Sequence, residues 1–401
     1  MTNIAQLQPV PGRLTAHQPR AAHTLGIIGG GQLAKMLAQS ASQFGCDIVI
    51  LERKEGSPAA SLAVETIIGD WDNPDSLLKL GALADVITLE NEFVDADSLA
   101  ALEQSGHSLW PTSQTVRVVQ DKLLQKRALA DAGLPVPQFA PAPDKASVVA
   151  AAKKFGWPLL LKKRRNGYDG KGNFTVRSAA EIDEAWAQLN GDASALYVEE
   201  FCAFTLELAM MITRSRDGET ACYPVVETVQ RDHICHLVKA PASIPMAMAS
   251  RAADIARKAV ETVGCVGAMG VEMFLARDGN ILINELAPRV HNSGHYTIEG
   301  CVCSQFENHV RAVLGWPLGS PAMRAPAAVM VNLLGAGKGT GTPHGLAEAL
   351  AIPSAHPHIY GKAFSAPGRK MGHVTALGQN LAEALATAQR AASLIRFGDE
   401  A

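Results

Sequence analysis

The stretch Val271-Glu272-Met273-Phe274-Leu275-Ala276-Arg277-Asp278-Gly279-Asn280-Ile281-Leu282-Ile283-Asn284-Glu285-Leu286-Ala287-Pro288-Arg289 reads as two apolar, β-rich runs around a tight turn. Asp278-Gly279 is a strong hairpin signal, because glycine accepts the positive φ that such turns demand. Counting outward from it sets Arg277 opposite Asn280, Phe274 opposite Ile283 and Glu272 opposite Glu285. Two carboxylates that face each other across a sheet repel, so the pair calls for a shared proton or a bound cation. A hard divalent ion suits oxygen donors best, and Mg²⁺ is commonly held by one or two carboxylates together with substrate phosphates. Glu272 and Glu285 are therefore the candidate metal ligands. A solvated surface hairpin is the plain alternative, but Arg289, His291, Asn292 and His295 follow Glu285 within ten residues.

Composition sets limits without naming a function. A chain of 401 residues, 47% hydrophobic and 19% charged, can bury large cores and is expected to form two or three domains. Its net charge of −3 supplies no basic field for nucleic acid, and the Lys-Lys-Arg-Arg run at 162–165 is too short to make one. Seven cysteines without metal-ligand spacing point to reduced thiols and a cytoplasmic location, with Cys301 and Cys303 packing rather than reacting. No apolar run reaches the roughly 18 residues of a membrane span. The first 22 residues, rich in Gln, Pro and Ala, read as a disordered extension.

From His23 the pattern is that of an α/β domain. Leu25–Ile28 is a short buried strand, Gly29-Gly30-Gly31-Gln32-Leu33 follows, an amphipathic helix is expected from Gln32 to Phe44, and a strand over 47–51 ends at Glu52. Gly29, Gly31 and Ala34 fit a dinucleotide fingerprint with Glu52 as its ribose acid. Such a loop could equally offer its N–H groups to any phosphate at the helix N-terminus, and nothing downstream resembles a hydride-transfer domain. The strand over 85–89 carries Glu90-Asn91-Glu92 to the carboxyl edge of the same sheet, where a ribose could be held.

A second region opens with a basic helix, Asp121-Lys122-Leu123-Leu124-Gln125-Lys126. An apolar strand over 159–161 ends in Lys162, and Asn166-Gly167-Tyr168-Asp169-Gly170-Lys171-Gly172-Asn173 reads as a glycine-rich hairpin that can close over phosphates. Tyr197-Val198-Glu199-Glu200-Phe201 is a strand running into an acidic connector, and Glu207 lies in a further strand over 206–212. Such a connector could accept hydrogen bonds from an adenine amine and ribose hydroxyls.

In this order the segments resemble the ATP-grasp superfamily, and within it the N5-carboxyaminoimidazole ribonucleotide synthetase branch, over about His23 to Gly378. Four stretches carry the resemblance: Gly29–Leu33, Asn166–Gly172, Asn284–His295 and Gly368–His373. It implies an α/β ATP-grasp fold with a Rossmann-like domain at 23–120, an ATP-grasp domain at 121–318 with a mobile lid at about 150–205, and a small β-rich domain at 319–401. The implied reaction joins bicarbonate to 5-aminoimidazole ribonucleotide at the expense of ATP, through carboxyphosphate, in de novo purine biosynthesis. Mg²⁺ is the implied cofactor, and a homodimer the implied assembly.

Carried over position by position, the ATP contacts would be Lys122, Lys162, Gly167, Tyr168, Asp169, Gly170, Lys171, Gly172, Asn173, Glu199, Glu200, Phe201, Cys202, Glu207, Gln230, Asn284 and Glu285. The ribonucleotide would meet Gln32, Glu90, Tyr168, Asp169, Asn292, Lys362, Arg369 and Lys370, with Lys362 and Arg369 near the 5′-phosphate. Arg289, His291, Lys362 and Asp169 form the implied catalytic set. Arg289 can clamp bicarbonate through paired hydrogen bonds, and His291 can orient the anion or move a proton near neutral pH. The family commonly has His where Gln230 stands and Arg where Ala366 stands, and some members have Arg in place of Lys122; the loss of a cation at 366 bears on the phosphate contact. Asn166 replaces a Gly in the loop, a mild change because Asn tolerates left-handed backbone. A formate-using glycinamide ribonucleotide transformylase is the alternative within the superfamily, and the Asn292-Ser293-Gly294-His295 segment argues against it.

Overall fold

The computed structural model describes residues 23–167, 172–232 and 234–398. The N-terminal extension, and Tyr168, Asp169, Gly170 and Lys171 among the expected contacts, lie outside the described residues. The chain divides into two compact units, one ending at Trp110 and the other beginning at Pro111.

The first unit is a parallel four-stranded sheet with strands in the order Glu65–Ile68, Asp47–Glu52, Thr24–Ile28, Val86–Leu89. Ile27, Ile28, Ile50 and Leu51 have no exposed surface, as strands covered on both faces require. The helix Gln32–Ser42 follows the first strand directly and buries Leu33, Ala34, Leu37, Ala38 and Ala41, positions at helical spacing on one face. It stops two residues short of the expected Phe44, where the chain turns through Gly45 at a φ of +69°.

The second unit holds two large sheets and a two-stranded one, Gly339–Thr340 with Phe364–Ser365. A four-stranded antiparallel sheet runs in the order Phe139–Ala142, Leu196–Glu200, Leu159–Lys163, Asn173–Val176. Its core joins Leu159, Leu161, Val198 and Trp186. The larger sheet runs from the edge strand Ile281–Ala287 through Gly267–Ala276, Phe204–Arg214, Val226–Arg231, Ile234–Ala240, Ala327–Leu334 and Lys370–Gly378 to Ala355–Ile359, with Thr220–Cys222 pairing on Phe204–Arg214. The C-terminal strands thus continue the sheet that carries Glu272 and Glu285, because Ala327–Leu334 bonds along Ile234–Ala240. The helix Met246–Thr262 buries Ala252, Ile255, Ala256, Ala259 and Val260 in the core beneath this sheet. That packing leaves the sheet's acidic face for function.

Candidate active site

The hairpin brings Glu272 and Glu285 together as Cα partners, by a route other than the counted one. Observed pairs near the turn are Leu275 with Ile281, Phe274 with Leu282 and Met273 with Ile283, one residue away from the expected Phe274–Ile283 register. The turn is a three-residue loop rather than a two-residue one. Gly279 donates to the Ala276 carbonyl at 3.0 Å, Ala276 donates to the Asn280 carbonyl at 2.8 Å, and Gly279 takes a φ of +82°. The register then shifts at Glu272/Met273, where Asn284 is the extra residue of a β-bulge, and the shift restores the opposition of the two acids. Glu207 is partnered with Phe274 on the neighbouring strand, so its side chain lies on the same face as Glu272.

Electrostatics separate the two acids. Burial, with Glu285 and Glu207 adding repulsion, pushes the Glu272 carboxyl up to about 8. Burial would also raise Glu285, but the ammonium of Lys122 seated on its carboxylate overrides this and holds it down at about 2. Glu272 has His291 Nε2 at 3.5 Å from its Oε1. Burial, then the charges of Arg289 and Lys370, press the His291 imidazole down to about 3, so it is neutral at neutral pH rather than titrating there. Gln305 grips the His291 backbone from both sides, accepting its N–H at 2.9 Å and donating to its carbonyl at 2.8 Å. The ring is set by Ser293 Oγ, 2.9 Å from Nδ1.

A second cluster lies on the four-stranded sheet. Lys162 Nζ donates to Glu199 Oε2 at 3.1 Å, and the Tyr197 hydroxyl donates to Oε1 at 2.8 Å. Burial works against ionised Glu199, yet Lys126 and Lys162 hold it at about 2. Asp121 caps the helix Lys122–Asp131, accepting from the N–H groups of Leu123 and Leu124, and takes two hydrogen bonds from Arg164 at 3.0 and 2.6 Å. That anchors Lys122.

The remaining expected contacts fall in several places. Gly167, Gly172 and Asn173 flank the undescribed stretch, with Gly172 at a φ of +99° and Asn166 at +61°, the left-handed conformation for which Asn is suited. Glu200 is committed to Gln138, accepting from its backbone and side-chain nitrogens at 2.9 and 2.8 Å. Phe201 is exposed, Cys202 half-buried, and Gln230 sits at a bulge opposite Cys235. Asn292 and Asn332 exchange amide hydrogen bonds at 2.9 and 2.7 Å. Lys362 donates to the Lys370 carbonyl at 2.7 Å, and exposed Arg369 donates to that of Phe364 at 2.8 Å. Cys301 and Cys303 are buried with thiols pushed up to about 12 by desolvation, and none of the seven cysteines forms a disulfide.

Gln32 and Glu90 belong to the first unit. There the Gly30 N–H donates to Glu52 Oε2 at 2.8 Å and the Gly31 N–H to Glu90 Oε2 at 2.9 Å. The Gly30 and Gly31 amides are therefore taken by the protein's own carboxylates, so these two N–H groups are not open to a phosphate. Sequence reasoning missed Lys126, Tyr197, Gln305 and Asn332. Only Lys126 had a visible signal, its position one turn after Lys122.

The ATP-grasp domain family matches residues 127–306, the ribonucleotide synthetase preATP-grasp domain family residues 22–120, and the phosphoribosylaminoimidazole carboxylase C-terminal domain family residues 328–387. The N5-carboxyaminoimidazole ribonucleotide synthase of Synechococcus elongatus is 43% identical over 352 residues, 88% of this chain and 88% of that one. The chloroplastic phosphoribosylaminoimidazole carboxylase of Vigna aconitifolia is 41% identical over 369 residues, and that alignment spans 89% of this chain but 64% of the plant protein. The crystal structure of the N5-carboxyaminoimidazole synthase of Aspergillus clavatus with ADP and 5-aminoimidazole ribonucleotide superposes with a TM-score of 0.85 at 36% identity, covering 93% of this chain and 98% of that one. Among the described residues, no helix is long and apolar enough to cross a membrane.

Proposed function

Because this chain belongs to the N5-carboxyaminoimidazole ribonucleotide synthase family of ATP-grasp proteins, we propose that it carboxylates 5-aminoimidazole ribonucleotide with bicarbonate at the expense of ATP. The observation that carries this reading is the opposed pair Glu272 and Glu285, with Lys122 on one acid and His291 beside the other.

The pair fits Mg²⁺. A carboxyl pushed up to about 8 by burial and by Glu285 and Glu207 is only partly offset by the charges of Lys122 and Lys370, and both donors are hard oxygens. No group of three or more His, Cys, Asp or Glu among the described residues could complete a protein cage, so phosphate and water would fill the shell. Once bound, the ion would neutralise charge on the phosphoryl group being transferred. Lys162, held by Glu199, and Lys122, held by Glu285, supply further positive charge toward the phosphates. Arg289 would clamp bicarbonate bidentately. A bicarbonate oxygen attacks the γ-phosphorus and the bond to ADP breaks, giving carboxyphosphate. Its carbon–oxygen bond breaks to phosphate and CO₂, the exocyclic amine attacks CO₂, and one proton is released. A neutral His291 can accept a hydrogen bond from the anion or the amine, as an imidazolium could not.

In this reading the residues of loop 167–173 contact the nucleotide, Glu199, Glu200 and Glu207 face its adenosine, and Gln32, Glu90, Asn292, Lys362, Arg369 and Lys370 receive the ribonucleotide. The functional domains are 23–120, 121–318 with its lid, and 319–401, in a cytoplasmic homodimer. A phosphate-release assay with Mg²⁺-ATP tests the reaction. Release should require bicarbonate and aminoimidazole ribonucleotide together; release driven instead by formate and glycinamide ribonucleotide would overturn the assignment. Light scattering tests the dimer, with a monomeric mass as the refuting result.

A further inference from the structure

Lys126 is almost fully buried, at 1% exposure, on the helix Lys122–Asp131. An ammonium so placed loses its hydration and must find partners. Its Nζ donates to the carbonyl of Ile283 at 2.9 Å and pairs with Glu199 Oε1 at 3.2 Å. These partners sit on different sheets. Ile283 is two residues before Glu285 on the edge strand of the large sheet, and Glu199 lies on the four-stranded sheet.

Helix geometry explains the arrangement. Positions 122, 125 and 126 share one helical face, and all three side chains reach the strand Ile281–Ala287. Lys122 takes the Glu285 carboxylate, Gln125 Oε1 accepts the Leu286 N–H at 3.0 Å, and Lys126 takes the Ile283 carbonyl. An edge strand exposes unpaired backbone groups, and this helix face covers them on both sides of Glu285. The Ile283 N–H is covered too, donating to the Pro135 carbonyl at 2.8 Å. Lys126 adds a link that Gln125 lacks, since its charge also holds Glu199 against Lys162.

We propose that Lys126 is a positioning residue that couples the nucleotide-side carboxylate Glu199 to the phosphate-side strand of Glu285, so that the two sheets bind the triphosphate as one unit. This rests on the ATP reading above. Lys126 touches neither the reacting atoms nor the metal ligands, and it acts through Glu199 and the Ile283 backbone. Burial, opposed by the pull of Glu199, brings its ammonium down to about 8, a cost a purely structural position would avoid by carrying an apolar residue.

Binding of Mg²⁺ with a non-hydrolysable ATP analogue, measured by calorimetry on the full chain, tests the coupling in a cycle of Lys126→Met, Glu199→Gln and the double variant. Lys126→Met should keep its circular dichroism and bind the analogue at least tenfold more weakly. In that background Glu199→Gln should lose most of its own effect, at least a fivefold departure from multiplicative penalties. Multiplicative penalties, or binding by Lys126→Met within twofold of wild type, would overturn the proposal. Should Lys126→Met not fold, Lys126→Gln keeps a donor for the Ile283 carbonyl without the charge and is read in the same cycle. Wild type that binds no analogue would sink the ATP reading itself, a result distinct from multiplicative penalties in a protein that binds.

Discussion

Glu272→Gln should make the protein more stable and nearly inactive at once. The Glu272 carboxyl sits at about 8 where 4.5 is ordinary, so between those values the folded state keeps a proton that the unfolded chain has released. Stability from this group is therefore complete below about 4.5 and declines as pH rises toward 8. At pH 7 the interval amounts to about 3 kcal/mol at roughly 1.4 kcal/mol per unit. The side chain keeps 27% of its exposure, so solvent screening reduces the figure, and a gain on the order of 1–3 kcal/mol is expected. Glutamine has nearly the same shape and never ionises, so the variant folds without having to take up that proton. Thermal unfolding at pH 7 without metal should rise by roughly 1–5 °C. Turnover should fall by several orders of magnitude, because the lost interaction is strongest in the transition state. The Mg²⁺-dependent thermal shift with an ATP analogue should shrink as well. A variant less stable than wild type, with turnover intact, would refute the view of Glu272 as an acid kept at a stability cost for a cation.

The same proton predicts a pH effect on binding. Since Glu272 must ionise to hold a cation, affinity for the Mg²⁺-bound ATP analogue should climb by up to about tenfold per unit below pH 8 and level off above it, and a flat calorimetric profile from 6.5 to 8.5 would count against it. Asp121→Ala removes a helix cap and leaves Arg164 without its bidentate partner, so urea unfolding should show a loss of about 2–4 kcal/mol; a change under about half a kcal/mol would mean the cap is redundant. Gly31→Ala would drive a Cβ into the Glu90 carboxylate, and steady-state kinetics should show KM for the ribonucleotide raised at least tenfold with KM for ATP within threefold. Equal changes in both would separate Glu90 from the ribonucleotide.

What the sequence revealed divides along physical lines. The hairpin was legible because its signals are local: Asp278-Gly279 for the turn, alternating apolar residues for the strands. Its register was not, since a three-residue turn and a bulge at Asn284 are each worth one residue and act in opposite directions. Glu272 and Glu285 end up opposed because the two shifts cancel. The glycines at 29–31 were equally visible, but their cause was not. Extra side-chain atoms there would meet Glu90 and Ser57, and the Gly30 and Gly31 amides are bonded to Glu52 and Glu90 from later strands. Spacing shows that a backbone must be bare, not what approaches it.

Lys126 marks the far limit of such reading. Its partners are 157 and 73 positions away, the first a carbonyl of the edge strand and the second a carboxylate on another sheet. Residue type gives no hint of either, because a lysine on a basic helix is most often solvated. Only the meeting of helix 122–131 with an unprotected strand edge makes an ammonium the fitting occupant. A methionine there would fill the space but leave the Ile283 carbonyl without a donor and Glu199 with one cation fewer, and an arginine would bring a larger, rigid fork into a site with no exposed volume. The identity of that residue is set by two distant acceptors at once, and this is why its loss should be felt at both ends of the nucleotide.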